Sequence, residues 1–137
     1  MKTVVLKFGG TSVGSIERIK KVANIIGFYK KKRFNVIVIS SAMGGITNDL
    51  IKKSKLISNN FDKAEYDTLL ASGEQVACAL IAGRLNHLGY KSRSWMAWQI
   101  PILTDGPHNS ARIHKIKKNQ ILSFIKTGGI PIITGFQ

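Results

Sequence analysis

One cysteine, Cys78, is too few for an internal disulfide framework or a multi-cysteine metal site. It stands in the apolar run Val76-Ala77-Cys78-Ala79-Leu80, where a small core residue is expected. No apolar stretch reaches the roughly 18 residues of a membrane-spanning helix. The N-terminus runs directly into Thr3-Val4-Val5-Leu6 without a cationic leader, a long apolar region and a cleavage site, so no membrane association and a cytoplasmic location are expected. Acidic residues are scarce as well. Seven Asp+Glu stand against 21 Lys+Arg, leaving a formal net charge of +14. That excess suits an anionic partner. It also has a plainer source. Sixteen of the cations are Lys and 19 Ile outnumber 10 Leu, and both residues share A- and T-rich codons. No RNA- or DNA-binding motif accompanies the charge, which argues against a nucleic-acid partner. The three histidines, His87, His108 and His114, show no metal-ligand spacing, so no protein-held metal is expected and loop or surface roles are.

What is present is globular. With 137 residues, 44% of them apolar, the chain suits one domain, which at this size buries about two-thirds of its unfolded surface. Strand and helix signals alternate. Residues 3–8 are apolar and β-branched and end at Gly9-Gly10. Ile16, Ile19, Val22, Ala23, Ile26 and Tyr29 then recur at helical spacing, with Ser15 placed to cap and Lys30-Lys31-Lys32-Arg33 at the negative end of the dipole. Val36-Ile37-Val38-Ile39 reads as a strand buried on both faces. A helix from Thr47-Asn48-Asp49 reaches residue 57. Another starts at Asp62, is interrupted at Ser72-Gly73-Glu74, and ends at Gly89. Residues 91–95 and, more weakly, 100–104 suggest strands, with a surface loop over 101–110. A short helix over 116–125 ends at Gly128-Gly129, before a last buried strand over 130–134. The alternation predicts a three-layer α/β/α sandwich with a mainly parallel sheet.

The densest chemical signal is Lys7-Phe8-Gly9-Gly10-Thr11-Ser12-Val13-Gly14-Ser15, between the first strand and the first helix. Glycines let backbone N–H groups approach an anion, and the helix N-terminus adds a favourable dipole. Gly9 and Gly14 have Walker spacing, but Ser15-Ile16 stands where Lys-Ser/Thr belongs, and the pattern is not GxGxxG. Here the lysine precedes the glycines, where its charge can sit over a phosphoryl group. The pattern alone reads equally as an ordinary glycine-rich connection. A second loop, Ser40-Ser41-Ala42-Met43-Gly44-Gly45-Ile46-Thr47, follows the second strand in the same way, which would put both at one rim of the sheet, where open α/β sheets bind ligands. Thr47 also reads as a helix cap. Glu74, inside an apolar stretch, is either a helix-start acid or the partner of a cation such as a substrate ammonium. Trp95 and Trp98 read as packing residues.

In order, these segments resemble the aspartate kinases of the amino-acid kinase family. The carriers are Lys7-Phe8-Gly9-Gly10-Thr11-Ser12, Val38-Ile39-Ser40-Ser41-Ala42-Met43-Gly44-Gly45-Ile46-Thr47-Asn48, Ser72-Gly73-Glu74-Gln75, Thr104-Asp105, Ala111-Arg112-Ile113 and Pro131-Ile132-Ile133-Thr134-Gly135-Phe136-Gln137. The resemblance implies ATP-dependent phosphorylation of the L-aspartate side-chain carboxylate to 4-phospho-L-aspartate, the step that opens the route to lysine and diaminopimelate, threonine and methionine. It implies Lys7 as the catalytic, phosphoryl-stabilising residue, with Lys7, Phe8, Gly9, Gly10, Thr11 and Ser12 at ATP. It implies Ser41, Thr47 and Glu74 at aspartate, and Mg²⁺ bound through the nucleotide phosphates. The family's sequences continue into a further glycine-rich motif and ACT domains. The expectation is therefore that residues 1–137 are the N-terminal portion of an amino-acid kinase domain, with no regulatory domain, working with a second chain or as a homo-oligomer. A non-catalytic remnant of a split gene and a basic nucleic-acid-binding protein are the alternatives.

Overall fold

A computed structural model describes residues 1–135. The elements are β1 (Thr3–Phe8), α1 (Ile16–Lys31), β2 (Asn35–Ser40), α2 (Ile46–Ile57), α3 (Lys63–His87), β3 (Ser92–Trp95), β4 (Ile102–Asp105), β5 (Arg112–Ile116), α4 (Asn119–Lys126) and β6 (Ile130–Thr134). Four strands form a parallel sheet in the order β1-β2-β6-β3, while β4 and β5 form a separate antiparallel ribbon. The last strand in the chain lies inside the sheet, and every residue of β6 is buried. That burial explains its unbroken Ile-Pro-Ile-Ile run: a parallel strand covered on both faces has no polar side to alternate with.

One face of the sheet carries α1 and α3. Ile19, Val22 and Ile26 of α1 and Ala77, Ile81 and Leu85 of α3 pack with Val36, Val38, Ile130 and Ile132. Each large side chain fully removed from water contributes about 1.5–3 kcal/mol. On the other face Ile121 and Ile125 of α4 pack with Trp95, Ile100 and Ile133. The expected three-layer sandwich is present. The α4 layer lies over β3 and β6, and at the β1 edge Val5 remains 59% exposed. Its register partner is Ile37, and Lys7 is paired in the same way with Ile39.

Local signals account for most boundaries. Ser15 Oγ accepts from the Arg18 amide, and Asp62 Oδ1 accepts from those of Ala64 and Glu65 at 2.9 and 3.0 Å. Gly89 (φ +83°) follows the end of α3, in a conformation glycine adopts at little cost. Five expectations change. Helix α3 runs without a break through Ser72-Gly73-Glu74. A Cβ on Gly73 would lie 3.0 Å from Ile46 Cγ2 and 3.1 Å from Leu50 Cδ1, so the glycine marks where α2 crosses α3 closely, not where α3 stops. The helix expected over 116–125 is α4 alone, because residues 112–116 form β5, and the loop expected over 101–110 begins with β4. The ribbon presents nearly all its side chains to solvent, so no apolar alternation marks it. Gly45 (φ +85°), not Thr47, precedes α2, with no side-chain cap bond. Trp95 is buried as expected, whereas Trp98 is 68% exposed.

Cys78 is fully buried in the α1/α3 layer, and burial, with the nearby Glu74 charge second, pushes its thiol up to about 12 from 9.0. Since the unfolded thiol ionises first, the associated stability is complete below pH 9.0 and is lost as pH rises from there through about 12. At pH 8, a thiol reagent should therefore label Cys78 only as fast as the chain opens. Rapid labelling of folded protein, followed by absorbance, would contradict this burial.

Candidate functional site

Because β1, β2, β3 and β6 are parallel, their carboxyl ends share one rim. Lys7 is exposed near the end of β1. The chain then turns tightly: the Ser12 amide donates to Gly9 O at 2.9 Å and the Gly14 amide to Thr11 O at 3.4 Å. The Arg18 guanidinium also donates to Thr11 O, and Val13 is buried in the core beneath. At the end of β2 the Ser41 amide donates to Phe8 O at 3.0 Å, which fastens the second loop to the first.

The glycines have different uses here. A Cβ on Gly10 would stand 3.1 Å from Ala42 O, and one on Gly44 would stand 3.3 Å from Gly10 O. These two let the loops meet backbone to backbone. Nothing lies within 4 Å of the corresponding position on Gly9, which is exposed. The open side of the first loop is therefore free for a ligand to approach.

Glu74 reaches the same rim from α3. Only 6% of it is exposed, in mid-helix, which removes the reading as a helix-start acid. Its Oε2 lies 3.9 Å from where a Cβ on Gly135 would stand, and the Gly135 amide donates to Ser40 O at 3.0 Å. The carboxylate thus sits by the ends of β2 and β6. Lys7, Gly9, Gly10, Thr11, Ser12, half-buried Ser41 and Glu74 are gathered at this rim, with Phe8 turned inward against the core. Thr47 lies farther along, exposed on the first turn of α2. Ser40 and Gly135 also build the rim, and both stood within the sequence segments already singled out. Phe136 and Gln137 of the last segment lie outside the described residues. Two hollows, about 420 Å³ beside Ile51, Lys55 and Leu56 and about 370 Å³ beside Gly27, Phe28 and Tyr90, lie elsewhere.

Among the described residues, no group of three His, Cys, Asp or Glu is arranged to hold a metal ion, and no helix is long and apolar enough to cross a membrane. The rim instead offers backbone amides, hydroxyls, one ammonium and one buried carboxylate. That set can bind a phosphate and an ammonium at once.

The glycine contacts make a paired prediction. Gly10→Ala should destabilise the fold by about 1–3 kcal/mol, because its Cβ meets backbone that must shift. Gly9→Ala should stay within about 0.5 kcal/mol of the parent. Urea denaturation of both variants tests the contrast, and equal losses would refute it.

Comparison with known proteins agrees with the fold. The chain is 47% identical over 137 residues to an aspartokinase of Geobacillus stearothermophilus, covering all of this chain and 34% of that one. It therefore spans about a third of the length of the curated relatives it matches. The crystal structure of aspartate kinase from Synechocystis superposes with a TM-score of 0.80 at 31% identity, covering 98% of this chain and 22% of that chain. Escherichia coli aspartokinase III in complex with aspartate and ADP has the same fold, with a TM-score of 0.80 at 19% identity over 98% of this chain and 41% of that one. The model of the amino acid kinase family matches residues 2–137. With that match over a parallel sheet whose two glycine loops meet at one rim, the chain belongs to the amino acid kinase family.

Proposed function

We propose that this chain is the N-terminal portion of an aspartate kinase domain. In that reading it supplies the aspartate-binding and phosphate-facing side of the transfer of the ATP γ-phosphoryl group to the L-aspartate side chain. The observation that carries the reading is the meeting, at one rim, of an exposed lysine beside an open glycine loop with a buried glutamate. Phosphoryl transfer asks a protein chiefly to position two anions and to neutralise the charge they share.

An aspartate side-chain oxygen forms the new bond to the γ-phosphorus as the bond to the β,γ-bridging oxygen breaks, releasing ADP and 4-phospho-L-aspartate. Lys7 places its ammonium against the oxygens of the transferring group, where charge develops. Backbone amides and hydroxyls of residues 9–12 receive the ATP phosphates, and open Gly9 permits their close approach. Mg²⁺, bound through those phosphates, would supply further charge neutralisation. Glu74 takes the aspartate ammonium; its burial strengthens that pairing. Ser41 and Thr47 offer hydroxyls to the same substrate.

The remainder of the nucleotide site is assigned to the sequence that the longer relatives contain, in the same chain, a second chain or a homo-oligomer. The product would lead toward lysine, threonine and methionine in the cytoplasm. Support comes from the 47% identity to an aspartokinase and from a neighbour of the same fold that is described with aspartate and ADP.

The test is an aspartyl-hydroxamate assay on the folded chain, alone and mixed with the remaining kinase segment. Activity is expected in the mixture, and none in either sample would defeat the reading. Lys7→Ala should lower kcat by about a hundredfold or more. Glu74→Gln should raise KM for aspartate about tenfold or more with a smaller change in kcat, as expected for loss of a charged partner. An unchanged KM would remove Glu74 from the ammonium site.

A further inference from the structure

A loop that receives phosphates through its backbone must also dispose of its carbonyls. Every peptide unit that offers an N–H carries an oxygen as well, and an oxygen turned toward a phosphate repels it. In the first loop the carbonyls of residues 9–11 each have a contact of their own. Gly9 O accepts from the Ser12 amide at 2.9 Å. Gly10 O faces the second loop, 3.3 Å from where a Cβ on Gly44 would stand. Thr11 O accepts from the Gly14 amide at 3.4 Å, a long bond, and from the Arg18 guanidinium. Among the described residues, Arg18 is the one whose side chain donates a hydrogen bond to residues 9–14.

Arg18 is well placed for this. Its amide donates to Ser15 Oγ at 3.3 Å in the first turn of α1, and Ile19 beside it is buried in the core. Glu17, the acid before it, is engaged by Lys20 at 2.7 Å. The bond to Thr11 O also does more than fix one carbonyl. Thr11 C=O and Ser12 N–H belong to the same peptide unit, so a cation on the oxygen makes the N–H a stronger donor. That N–H donates to Gly9 O, and the Gly9 carbonyl shares its peptide unit with the Gly10 N–H. Two hydrogen bonds thus stand in series, each polarising the next by about 10–30%. The first is charge-assisted, which makes it the strong one. The series ends at the glycine pair, where the loop is open around Gly9.

We propose that Arg18 is the positioning residue of the phosphate-facing loop, holding its carbonyl side down and strengthening its amides as donors. This rests on the rim being the ATP site, and it adds a residue from outside the loop. Arg18 touches no reacting atom in this account. It acts through Thr11 O and affects the nucleotide, not aspartate.

Hydroxamate-assay kinetics on the full chain, combined with the remaining kinase segment, test this. Arg18→Ala should raise KM for Mg-ATP about tenfold, the expected result of losing a charge-assisted hydrogen bond that sets the loop. KM for L-aspartate should stay near the parent value. An unchanged KM for Mg-ATP, or an equal rise for both substrates, would overturn the positioning role. Arg18→Lys keeps a charged donor and should recover most of the loss, whereas neutral Arg18→Gln should recover less. A Gln variant equal to the Lys variant would overturn the polarisation. Hydrogen exchange followed by mass spectrometry gives a readout without turnover. In Arg18→Ala, amides of residues 10–14 should exchange about threefold faster or more, while those of β2 and β6 keep the parent rate. Equal acceleration across the chain would reduce Arg18 to a general stabiliser and overturn the proposal. Mg-ATP should slow exchange in residues 9–12 of the parent, and no protection there would defeat the rim as the nucleotide site. Protection in the parent that Arg18→Ala reproduces at the same Mg-ATP concentration, below saturation, would overturn the role of Arg18 alone.

Discussion

The rim depends on two stretches of backbone touching. Gly10 and Gly44 carry no side chain at the point where a Cβ would meet the opposite loop's carbonyl oxygen at 3.1 and 3.3 Å. That contact is possible because β1 and β2 are adjacent and parallel, so both loops leave the sheet at the same end, and the Ser41 amide bonded to Phe8 O holds them in register. Closing the space between the loops this way leaves Gly9 facing outward. A pair of hydroxyl-rich loops becomes one continuous surface with amides available to an anion.

Glu74 supplies the opposite sign at that surface, and its setting follows from helix packing. Gly73 lets α2 cross α3 at short range, with Ala42 of the second loop also against it. The next residue is consequently held deep at the rim. An ionised carboxylate there is costly unless it has a partner, and the low dielectric that makes it costly also strengthens whatever interaction it makes. The same burial raises the thiol of Cys78, one turn farther along α3. The two effects have one cause, the dry layer between α3 and the sheet.

A chain with three times as many cations as acids must settle its charge by other means than ion pairing. The side-chain pairs Lys20–Glu17 and Lys53–Asp49 are exposed, and such pairs contribute at most about 1 kcal/mol. Several cations lie instead over aromatic rings: Lys32 on Phe28 at 4.3 Å, Lys91 on Phe124 at 5.7 Å and Arg93 on Trp95 at 4.7 Å. In each case the charged group itself faces the ring, whose quadrupole attracts it. The excess charge is spread over helix ends and the ribbon, while Lys7 stands just before the glycine loop and Arg18 donates to it at Thr11 O.

Much of this was legible in the amino-acid sequence because the signals are local. The β-branched runs of β1, β2 and β6, the caps Ser15 and Asp62, and the two glycine loops each depend on residues within a few positions of one another. Other features depended on neighbours distant in the chain. Gly73 looked like a helix break until α2 was found against it, since propensity records the cost of a glycine but not the closeness it permits. Of the ribbon, only a weak strand over 100–104 was legible, because strands exposed on both sides leave no alternating pattern, and its tip is fixed by Asp67, some 40 residues away. The placement of β6 between β2 and β3, which brings Gly135 beside Glu74, is a matter of sheet order. The sequence by itself determined which residues could serve a phosphate and an ammonium. Only tertiary structure decided that they share one rim, because strand order and helix crossing are set by long-range packing.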